Sequence, residues 1–257
     1  MKICRFLHLG KIKYGGLQGD NVFPLDELGN YQSGDSEVVL KDFLNVSEIQ
    51  FLPPTVPSKI VCVGRNYAEH AAELGNEVPT EPLLFLKAPS ALITDNETIK
   101  IPSSSNQVEY EGELAIVIGR GCRNLTEADN PFDYVFGYAC LNDVTARDLQ
   151  RKDVQFARAK SFDTFCPVGS FIETELDTSD VQVVTRVNGF IKQDGRTSQM
   201  VFPVDYLIRY ISNQMTLQSG DIIATGTPSG VSKLNAGDIC EVEIEGIGIL
   251  RNPVKQK

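Results

Sequence analysis

Four runs rich in β-branched and other apolar residues constrain the fold of this chain most strongly. They are KIVCVG at 59–64, ELAIVIG at 113–119, VQVVTRVNG at 181–189 and DIIATG at 221–226. Valine, isoleucine and threonine favour strands, and glycine or asparagine commonly ends a strand in a turn. We therefore expect strands to dominate the chain from residue 59 onward.

Helical spacing is confined to three short segments. Apolar residues recur closer to every 3.6 than to every second position in 67–74, in part of 144–156 and in 204–215. The segments do not alternate regularly with the strands, which disfavours a doubly wound parallel sheet or an eight-fold α/β barrel. The expected class is mixed α+β, mainly β.

The first 55 residues have a different character. They read as short strands and turns, including GGLQGD at 15–20 and GNYQSGD at 29–35, and a rigid PPTVPS follows at 53–58. We predict a small N-terminal β-rich domain at 1–55 and a larger domain at 56–257, within the size that one large core can support.

Charge and cysteine content limit the classes of partner. A net charge of −10 repels polyanions, so we expect no nucleic acid and no anionic membrane surface as a partner. The six cysteines lack C-x-x-C spacing, which favours buried free thiols over zinc sites or disulfides. Because the N-terminal stretch has no apolar run like that of a signal peptide, we expect a cytoplasmic protein.

Three glutamates alternate with other residues in VEYEGELAIVIG at 108–119. On a strand, Glu109, Glu111 and Glu113 would project to one face, where their charges repel each other. The stretch is either a solvated strand edge or a place where a divalent cation relieves the repulsion.

Asp143 supplies a second acidic position, at the end of the apolar strand predicted before it. The residue could cap the next helix, with Thr145 or Asp148 nearby, or it could join two of the glutamates. Such an open set of oxygen ligands suits Mg²⁺ or Mn²⁺ better than zinc.

The stretch GRNYAEHAAELG at 64–75 holds one of only two histidines. Asn66 and Glu69 form a potential capping pair, and Gly75 stands where a helix would end. His70 and Glu73 would then share a face, either as a general base oriented by a carboxylate or as a pair on a polar surface.

The remaining candidate functional residues are four cations and a threonine in a turn. Each of Arg65, Lys87, Arg147 and Lys160 could be an ordinary surface charge, but two of them, Lys87 and Lys160, interrupt apolar surroundings, as a lysine aimed at an anion would. The segment ATGTPSG at 224–230 lacks the G-K-[ST] of a phosphate loop. The segment is either a tight turn or a place where Thr227 offers its hydroxyl and backbone N–H to a carboxylate.

Together, VCVGRNYAEH, the E-x-E-L run, LNDVTARDLQ, AKSFDTFCPVG and GDIIATGTPSGV resemble the fumarylacetoacetate hydrolase family in order and spacing, over about 59–254. The most similar members are acylpyruvate hydrolases, oxaloacetate decarboxylases or tautomerases, and 2-hydroxyhepta-2,4-diene-1,7-dioate isomerases. The resemblance implies a rolled mixed β-sheet, a homodimer and a small 2-keto acid as substrate.

The resemblance also implies roles for individual residues. Glu111, Glu113 and Asp143 would bind Mg²⁺ or Mn²⁺, with Glu109 outside the set, and His70 and Glu73 would form the catalytic dyad. Contacts to the substrate carboxylate or a developing oxyanion would come from Arg147, Gln150, Lys160 and Thr227, supported by Lys87 and Arg65.

The implied reaction is hydrolysis of an acylpyruvate or decarboxylation or tautomerisation of oxaloacetate. In hydrolysis the dyad activates a water and Lys160 stabilises the charge that develops. The alternatives are the dienedioate isomerase, a non-catalytic metal and keto-acid binder, and a purely structural β protein.

Overall fold

The computed structural model describes residues 1–25 and 43–257, and its architecture is mainly β, as expected. The described helices are few and short: α1 (Ala68–Glu73), α2 (Arg147–Asp153), α3 (Ala157–Lys160) and α4 (Val204–Gln214). Three of them lie within the segments in which apolar spacing predicted helices. The predicted turn at 29–35 lies outside the described residues.

The larger sheet has eleven strands. In chain order they are β1 (Lys2–His8), β2 (Lys11–Gln18), β3 (Asn21–Leu25), β4 (Leu44–Asn45), β5 (Gln50–Leu52), β6 (Ile60–Gly64), β7 (Leu83–Lys87), β11 (Gly112–Ile118), β12 (Val135–Asn142), β15 (Phe171–Glu173) and β18 (Ile222–Ala224). Their spatial order is β4-β3-β2-β1-β15-β12-β11-β18-β6-β7, and β5 pairs with β1. Most pairs are antiparallel, but β18 and β6 run parallel, so the sheet is mixed.

A second sheet of five strands has the order β17-β16-β19-β20-β9. Its members are β9 (Ile99–Ile101), β16 (Gln182–Val187), β17 (Phe190–Arg196), β19 (Ile239–Ile244) and β20 (Gly248–Gln256). Two small ladders pair β10 (Val108–Glu109) with β13 (Thr145–Ala146) and β8 (Leu92–Ile93) with β14 (Cys166–Pro167).

Strand β11 lies in the middle of the fold and is buried along its whole length. Its two faces pack into different clusters, with Leu114 and Ile116 on one side and Ala115 on the other. A strand covered on both faces reads as a continuous apolar run rather than an alternating one, which explains ELAIVIG. Burial of this strand fixes the position of the glutamates at its beginning.

Helix α4 covers the Leu114 side of β11. It buries Val204, Leu207, Ile208 and Ile211, at intervals of three and four residues, in the same cluster. This spacing places the apolar side chains on one stripe facing the core.

The N-terminal strands extend the larger sheet. Strand β1 pairs with β15 in the register Lys2↔Glu173, and β15 in turn pairs with β12. Cys4, Phe6 and Val22 form a small cluster of their own beneath these strands. Because β1 to β4 share a sheet with the rest of the chain, the division at residue 55 stays a prediction.

Two smaller expectations concern the cysteines and the membrane. All six cysteines are buried and free, and burial raises the pKa of the Cys166 thiol to about 12, so it stays protonated near neutral pH. Within 1–25 and 43–257, no helix combines the length and apolar character needed to span a bilayer.

Candidate active site

Three buried carboxylates converge where β11 begins and β12 ends. Each of Glu111, Glu113 and Asp143 offers an oxygen, and these oxygens lie within 4.8 Å of one another. The register Gly112↔Asn142 and the bond from the Asp143 N–H to the Glu111 carbonyl (2.8 Å) bring the two strand ends together. The side chains are at most 7% exposed, so the alternative of a solvated strand edge is wrong.

Cations from three other elements surround this trio. Lys160, the last residue of α3, donates to Glu111 Oε2 (2.8 Å) and Asp143 Oδ2 (2.7 Å). Lys87 at the end of β7 donates to Asp143 Oδ1 (2.5 Å), so Asp143 binds two lysines and does not cap a helix.

Arg147, the first residue of α2, connects the trio to a fourth buried carboxylate, Glu109. It donates to Glu111 and, from Nε, to Glu109 Oε2 (2.7 Å). Gln107 Nε2 also donates to Glu109 (2.6 Å), which explains why Glu109 stands outside the trio.

The charges in this buried cluster do not cancel. Four carboxylates face three cations when all are ionised, which leaves one negative charge in excess. Burial, followed by the charges of Asp143 and Glu111, raises the pKa of Glu113 well above its usual value. The oxygen donors and the excess charge fit a hard divalent cation such as Mg²⁺ or Mn²⁺.

The neighbouring pKa values show which groups stay charged. Burial favours the neutral form of Glu111, but Lys160 and Arg147 outweigh it and hold the pKa of Glu111 well below its usual range. Burial also disfavours the charged form of Lys160, but Asp143 and Glu111 outweigh this effect and raise its pKa. Lys160 therefore stays protonated near neutral pH while Glu111 and Asp143 hold no other cation.

Two members of the trio, Glu111 and Glu113, line a cavity of about 480 Å³ together with Lys160, whereas Asp143 is fully buried and does not line it. His70, Arg147, Gln150 and Thr227 line it as well, so the cavity gathers most of the residues singled out from the sequence. Apolar side chains also line the cavity, namely those of Leu74, Leu83, Phe85, Val154 and Phe156.

The dyad lies on α1 at the rim of this cavity. His70 is buried, and its Nδ1 lies 3.3 Å from Glu73 Oε2, so the alternative of an exposed surface pair is wrong for the histidine. Glu73 is a third exposed and also accepts from the Gly230 N–H (3.1 Å). The helix ends at Gly75 as expected, with φ +67° and with bonds from Gly75 N–H to Ala72 O and from Asn76 N–H to Ala71 O.

The beginning of this helix differs from the expectation. Asn66 does not cap α1, because its Nδ2 donates to the carbonyls of Thr225 (2.8 Å) and Phe202 (3.0 Å). Its Oδ1 accepts from the Phe202 N–H (2.8 Å). The buried carboxamide thus fastens the dyad helix to the segment that follows β18.

That segment, at 225–230, contacts both the carboxylate trio and the dyad. The Gly226 N–H donates to Glu113 Oε2 (2.7 Å), and Gly230 contacts Glu73 as described. The Thr227 hydroxyl donates to the Gly112 carbonyl (2.8 Å). The role of Thr227 towards a ligand carboxylate stays a prediction.

The other predicted substrate residues differ in their accessibility. Gln150 accepts from Arg147 Nη1 (2.6 Å), which leaves its amide hydrogens for a ligand. Arg65 lines the cavity at φ +58° and has no ion pair or hydrogen bond of its side chain within the described chain. Lys87 is fully buried behind Asp143 and does not line the cavity. All these roles stay predictions.

Sequence reasoning missed Gln193 on β17, which is fully buried and bonded to Gly112 and Thr227. A glutamine between a lysine and an aspartate reads as an exposed strand residue. Only the packing of the second sheet on β11 reveals its position.

Comparisons with known proteins agree with this geometry. The family model described as "Fumarylacetoacetate (FAA) hydrolase C-terminal" matches residues 59–255, and the model "Rv2993c-like, N-terminal" matches residues 1–54. Oxaloacetate tautomerase YisK of Bacillus subtilis is 41% identical over 245 residues, covering 90% of this chain and 78% of that protein. A mitochondrial oxaloacetate decarboxylase of Dictyostelium discoideum is 46% identical over 196 residues, covering 74% of this chain and 89% of that protein.

Solved structures show the same fold over the whole chain. A 5-carboxymethyl-2-hydroxymuconate delta-isomerase from Mycobacterium smegmatis has a TM-score of 0.89 and 38% identity, with full coverage of both chains. A maleylpyruvate hydrolase from Sphingobium sp. SYK-6, solved with manganese(II) and pyruvate, has a TM-score of 0.83 and 30% identity, covering 100% of this chain and 99% of that one. The family model covers most of the residues that build the sheets and all those that build the cavity, and the chain therefore belongs to the fumarylacetoacetate hydrolase family of enzymes.

Proposed function

We propose that this protein is a divalent-cation-dependent enzyme that moves a proton at carbon 3 of a 2-oxo acid, with keto–enol tautomerisation of oxaloacetate as the favoured reaction. The observation that supports it most is the buried trio Glu111, Glu113 and Asp143 beside the His70–Glu73 pair. The similarity to oxaloacetate tautomerase YisK favours the same substrate.

The trio is the set of residues that would hold the cation. Mg²⁺ or Mn²⁺ bound there would supply Lewis acidity, drawing electrons from the 2-oxo group and so acidifying the neighbouring C–H. The excess negative charge of the cluster would become an excess positive charge, which favours an anionic substrate in an otherwise acidic protein.

His70 would be the base. Because Glu73 faces Nδ1, it favours the tautomer with the proton on that nitrogen and leaves Nε2 to accept a proton from carbon 3. The same nitrogen would return the proton to the enolate, at oxygen to give the enol or at carbon to give the ketone.

Lys160 and Gln150 would stabilise negative charge on the substrate rather than transfer protons. Lys160 Nζ lies 2.8 Å from Glu111 Oε2 and 2.7 Å from Asp143 Oδ2, so its positive charge would lie near the enolate. Gln150 keeps two amide hydrogens for a substrate carboxylate, because only its oxygen is taken by Arg147.

A second candidate is hydrolysis of acylpyruvates, favoured by the apolar side chains that line part of the cavity, which would suit an acyl group. In this reaction His70 would deprotonate a water that attacks the distal carbonyl, and the C3–C4 bond would break to release the pyruvate enolate. The similarity to a maleylpyruvate hydrolase favours this chemistry.

One NMR assay tests both candidates. The protein is incubated with Mg²⁺, with Mn²⁺ or with EDTA against oxaloacetate and against acetylpyruvate, and the enol, pyruvate and acetate signals are followed beside a metal-only control. Cation-dependent acceleration of enol exchange, lost in His70→Ala, is expected. Pyruvate from oxaloacetate would assign decarboxylation, and acetate from acetylpyruvate would assign hydrolysis.

Failure on both substrates would contradict the proposal and direct the search to isomerisation of dienedioates. Cation binding without turnover of any of them would leave a binding protein. The homodimer expected from the resemblance stays a prediction.

A further inference from the structure

A buried glutamine on the second sheet contacts the cavity only through other residues. Gln193 lies on β17 between Lys192 and Asp194, both of which are exposed, yet its own side chain is fully buried. A carboxamide removed from water must find partners within the protein, or its burial destabilises the fold.

Gln193 satisfies this requirement with three hydrogen bonds. Its Oε1 accepts from the Gly112 N–H (3.0 Å), and its Nε2 donates to Thr227 Oγ1 (2.8 Å) and to the Pro228 carbonyl (2.7 Å). Both amide hydrogens are therefore used, and the side chain has one orientation. It joins the beginning of β11 to the segment at 225–230.

Gly112 is the residue between two members of the carboxylate trio, Glu111 and Glu113. A Cβ on it would lie 2.1 Å from Thr185 Oγ1, so the second sheet packs directly on the backbone here. Gln193 holds the N–H of Gly112, and the Thr227 hydroxyl holds its carbonyl (2.8 Å). The backbone orientation at Glu111 and Glu113 is thus fixed by residues outside the trio.

The same contacts decide what Thr227 can offer a ligand. Its hydroxyl has a single proton, which Gly112 accepts, and the oxygen receives a bond from Gln193. Its backbone N–H has no acceptor within the described chain, and the residue lines the cavity. The backbone N–H is therefore the Thr227 donor that remains for an anion.

We propose that Gln193 is a positioning residue for this site: through Gly112 it sets the geometry of Glu111 and Glu113, and through Thr227 and Pro228 it presents the Thr227 N–H to the substrate anion. The inference rests on the proposed function, since it assigns Gln193 to the cation and anion sites described there. Gln193 itself touches neither cation nor substrate.

Calorimetric titration with Mn²⁺, and with oxalate at saturating Mn²⁺, tests the proposal without requiring turnover. Oxalate is a planar dianion of about the shape of the pyruvate enolate. Gln193→Met keeps the length of the side chain and removes all three bonds. Gln182→Met removes a similar amide from the adjacent strand, and the hydrogen bond of that amide within the described residues is to Asp194.

For Gln193→Met we expect Mn²⁺ to bind about 10–100-fold more weakly, the usual consequence of losing an outer contact of a metal site. Oxalate affinity should fall as well, and Gln182→Met should match the unmodified protein in both titrations. Thr227→Val should weaken oxalate binding. The double variant with Gln193→Met should lose less oxalate affinity than the product of the two separate fold-losses.

Each outcome has a defined meaning. If Gln193→Met folds and binds Mn²⁺ and oxalate like the unmodified protein, Gln193 is a packing residue and the inference is overturned. If Gln193→Met does not fold, Gln193→Glu is used in its place, because the glutamate keeps the acceptor for the Gly112 N–H and loses the donors to Thr227 and Pro228. Undiminished oxalate affinity in Gln193→Glu also overturns the inference. An unmodified protein that binds no Mn²⁺ contradicts the proposed function instead.

Discussion

The two halves of the cavity are built in different ways. The carboxylate half is held by ion pairs between buried groups, such as those of Lys160 with Glu111 and Asp143, on strands in the middle of the fold. The dyad half rests on a six-residue helix, with a His70–Glu73 contact of 3.3 Å and a glutamate that is one third exposed.

The difference has a physical consequence for the proposed reaction. A cation site needs fixed ligands, because its charge interacts most strongly with groups that do not reorganise. A base that must follow a proton between two atoms of a substrate can tolerate looser support. Variants on the two sides should therefore differ in whether they affect cation binding, turnover or stability.

The largest effects are expected within the trio, where Glu113→Gln and Glu111→Gln form a matched pair. Loss of Glu113 should weaken Mn²⁺ binding beyond the ~10–100-fold typical of an outer contact, and abolish activity. Because burial and the charges of Asp143 and Glu111 disfavour the ionised form of Glu113, Glu113→Gln should nevertheless raise the stability of the cation-free protein.

Glu111→Gln should also abolish cation binding, but it should lower stability by about 3 kcal/mol, because Lys160 and Arg147 would lose a buried partner. Urea unfolding in EDTA measures both variants. Equal destabilisation of the two would show that ion pairing does not distinguish these glutamates.

The next effects concern the dyad. His70→Ala should lower kcat by about 10²–10⁴-fold with Mn²⁺ affinity unchanged, as expected for removal of a general base alone. Glu73→Gln should cost less, because the glutamate acts through the histidine. Glu69→Gln on the same helix serves as the control, because it removes an equal charge whose hydrogen bond within the described residues is to the Ser229 hydroxyl (3.3 Å).

A smaller effect is expected at the opposite end of β18. Asp221 is bound to Lys59 Nζ (2.5 Å) and accepts from the Ser58 and Gln218 N–H groups. Burial favours its neutral form, but Lys59 and these donors outweigh it and lower the pKa of Asp221 below its ordinary value of 3.8.

A carboxylate with a lowered pKa in the folded state stabilises the fold fully above its unfolded-state pKa, and the contribution is lost as the pH falls through the folded-state value. Asp221→Asn should therefore cost about 1–3 kcal/mol at pH 7 and less below pH ~4. Urea unfolding at a series of pH values measures this, and a constant difference between the proteins would contradict it. Mn²⁺ affinity should not change.

The sequence predicted these regions unequally well. The runs ELAIVIG and DIIATG specify buried strands, and acidic residues at the beginning of one strand and the end of another predicted that two glutamates would meet Asp143, since strand pairing is a regular geometry. The choice of Glu111 and Glu113 over Glu109 came from the family resemblance. The N-x-x-E capping pattern at Asn66 failed because a local pattern cannot show that a distant backbone, at Thr225 and Phe202, competes for the carboxamide.

Gln193 and the Gly112–Thr185 approach could not be predicted for a related reason. Both depend on how two sheets pack on each other, and no periodicity within one strand encodes that contact. The charge balance of the trio was equally inaccessible, because Lys87 and Lys160 come from elements far apart in the chain.

The smallest effect should come from the end of the dyad helix. Gly75 has φ +67°, and a Cβ there would meet nothing within 4 Å, so Gly75→Ala introduces backbone strain and no clash. An alanine in this conformation costs about 1–2 kcal/mol. Because the glycine is bonded to Ala72 at the end of α1, the strain should be relieved by fraying of the last turn, which carries Glu73. For Gly75→Ala we therefore expect turnover to fall slightly and Mn²⁺ affinity to stay constant.

Gly10→Ala is the control. Gly10 has φ +73° in the distant β1–β2 turn, and a Cβ there would also meet nothing within 4 Å. This variant should lose a similar amount of stability with no change in turnover. Equal turnover in the two variants would mean that α1 is held as firmly as the carboxylate half.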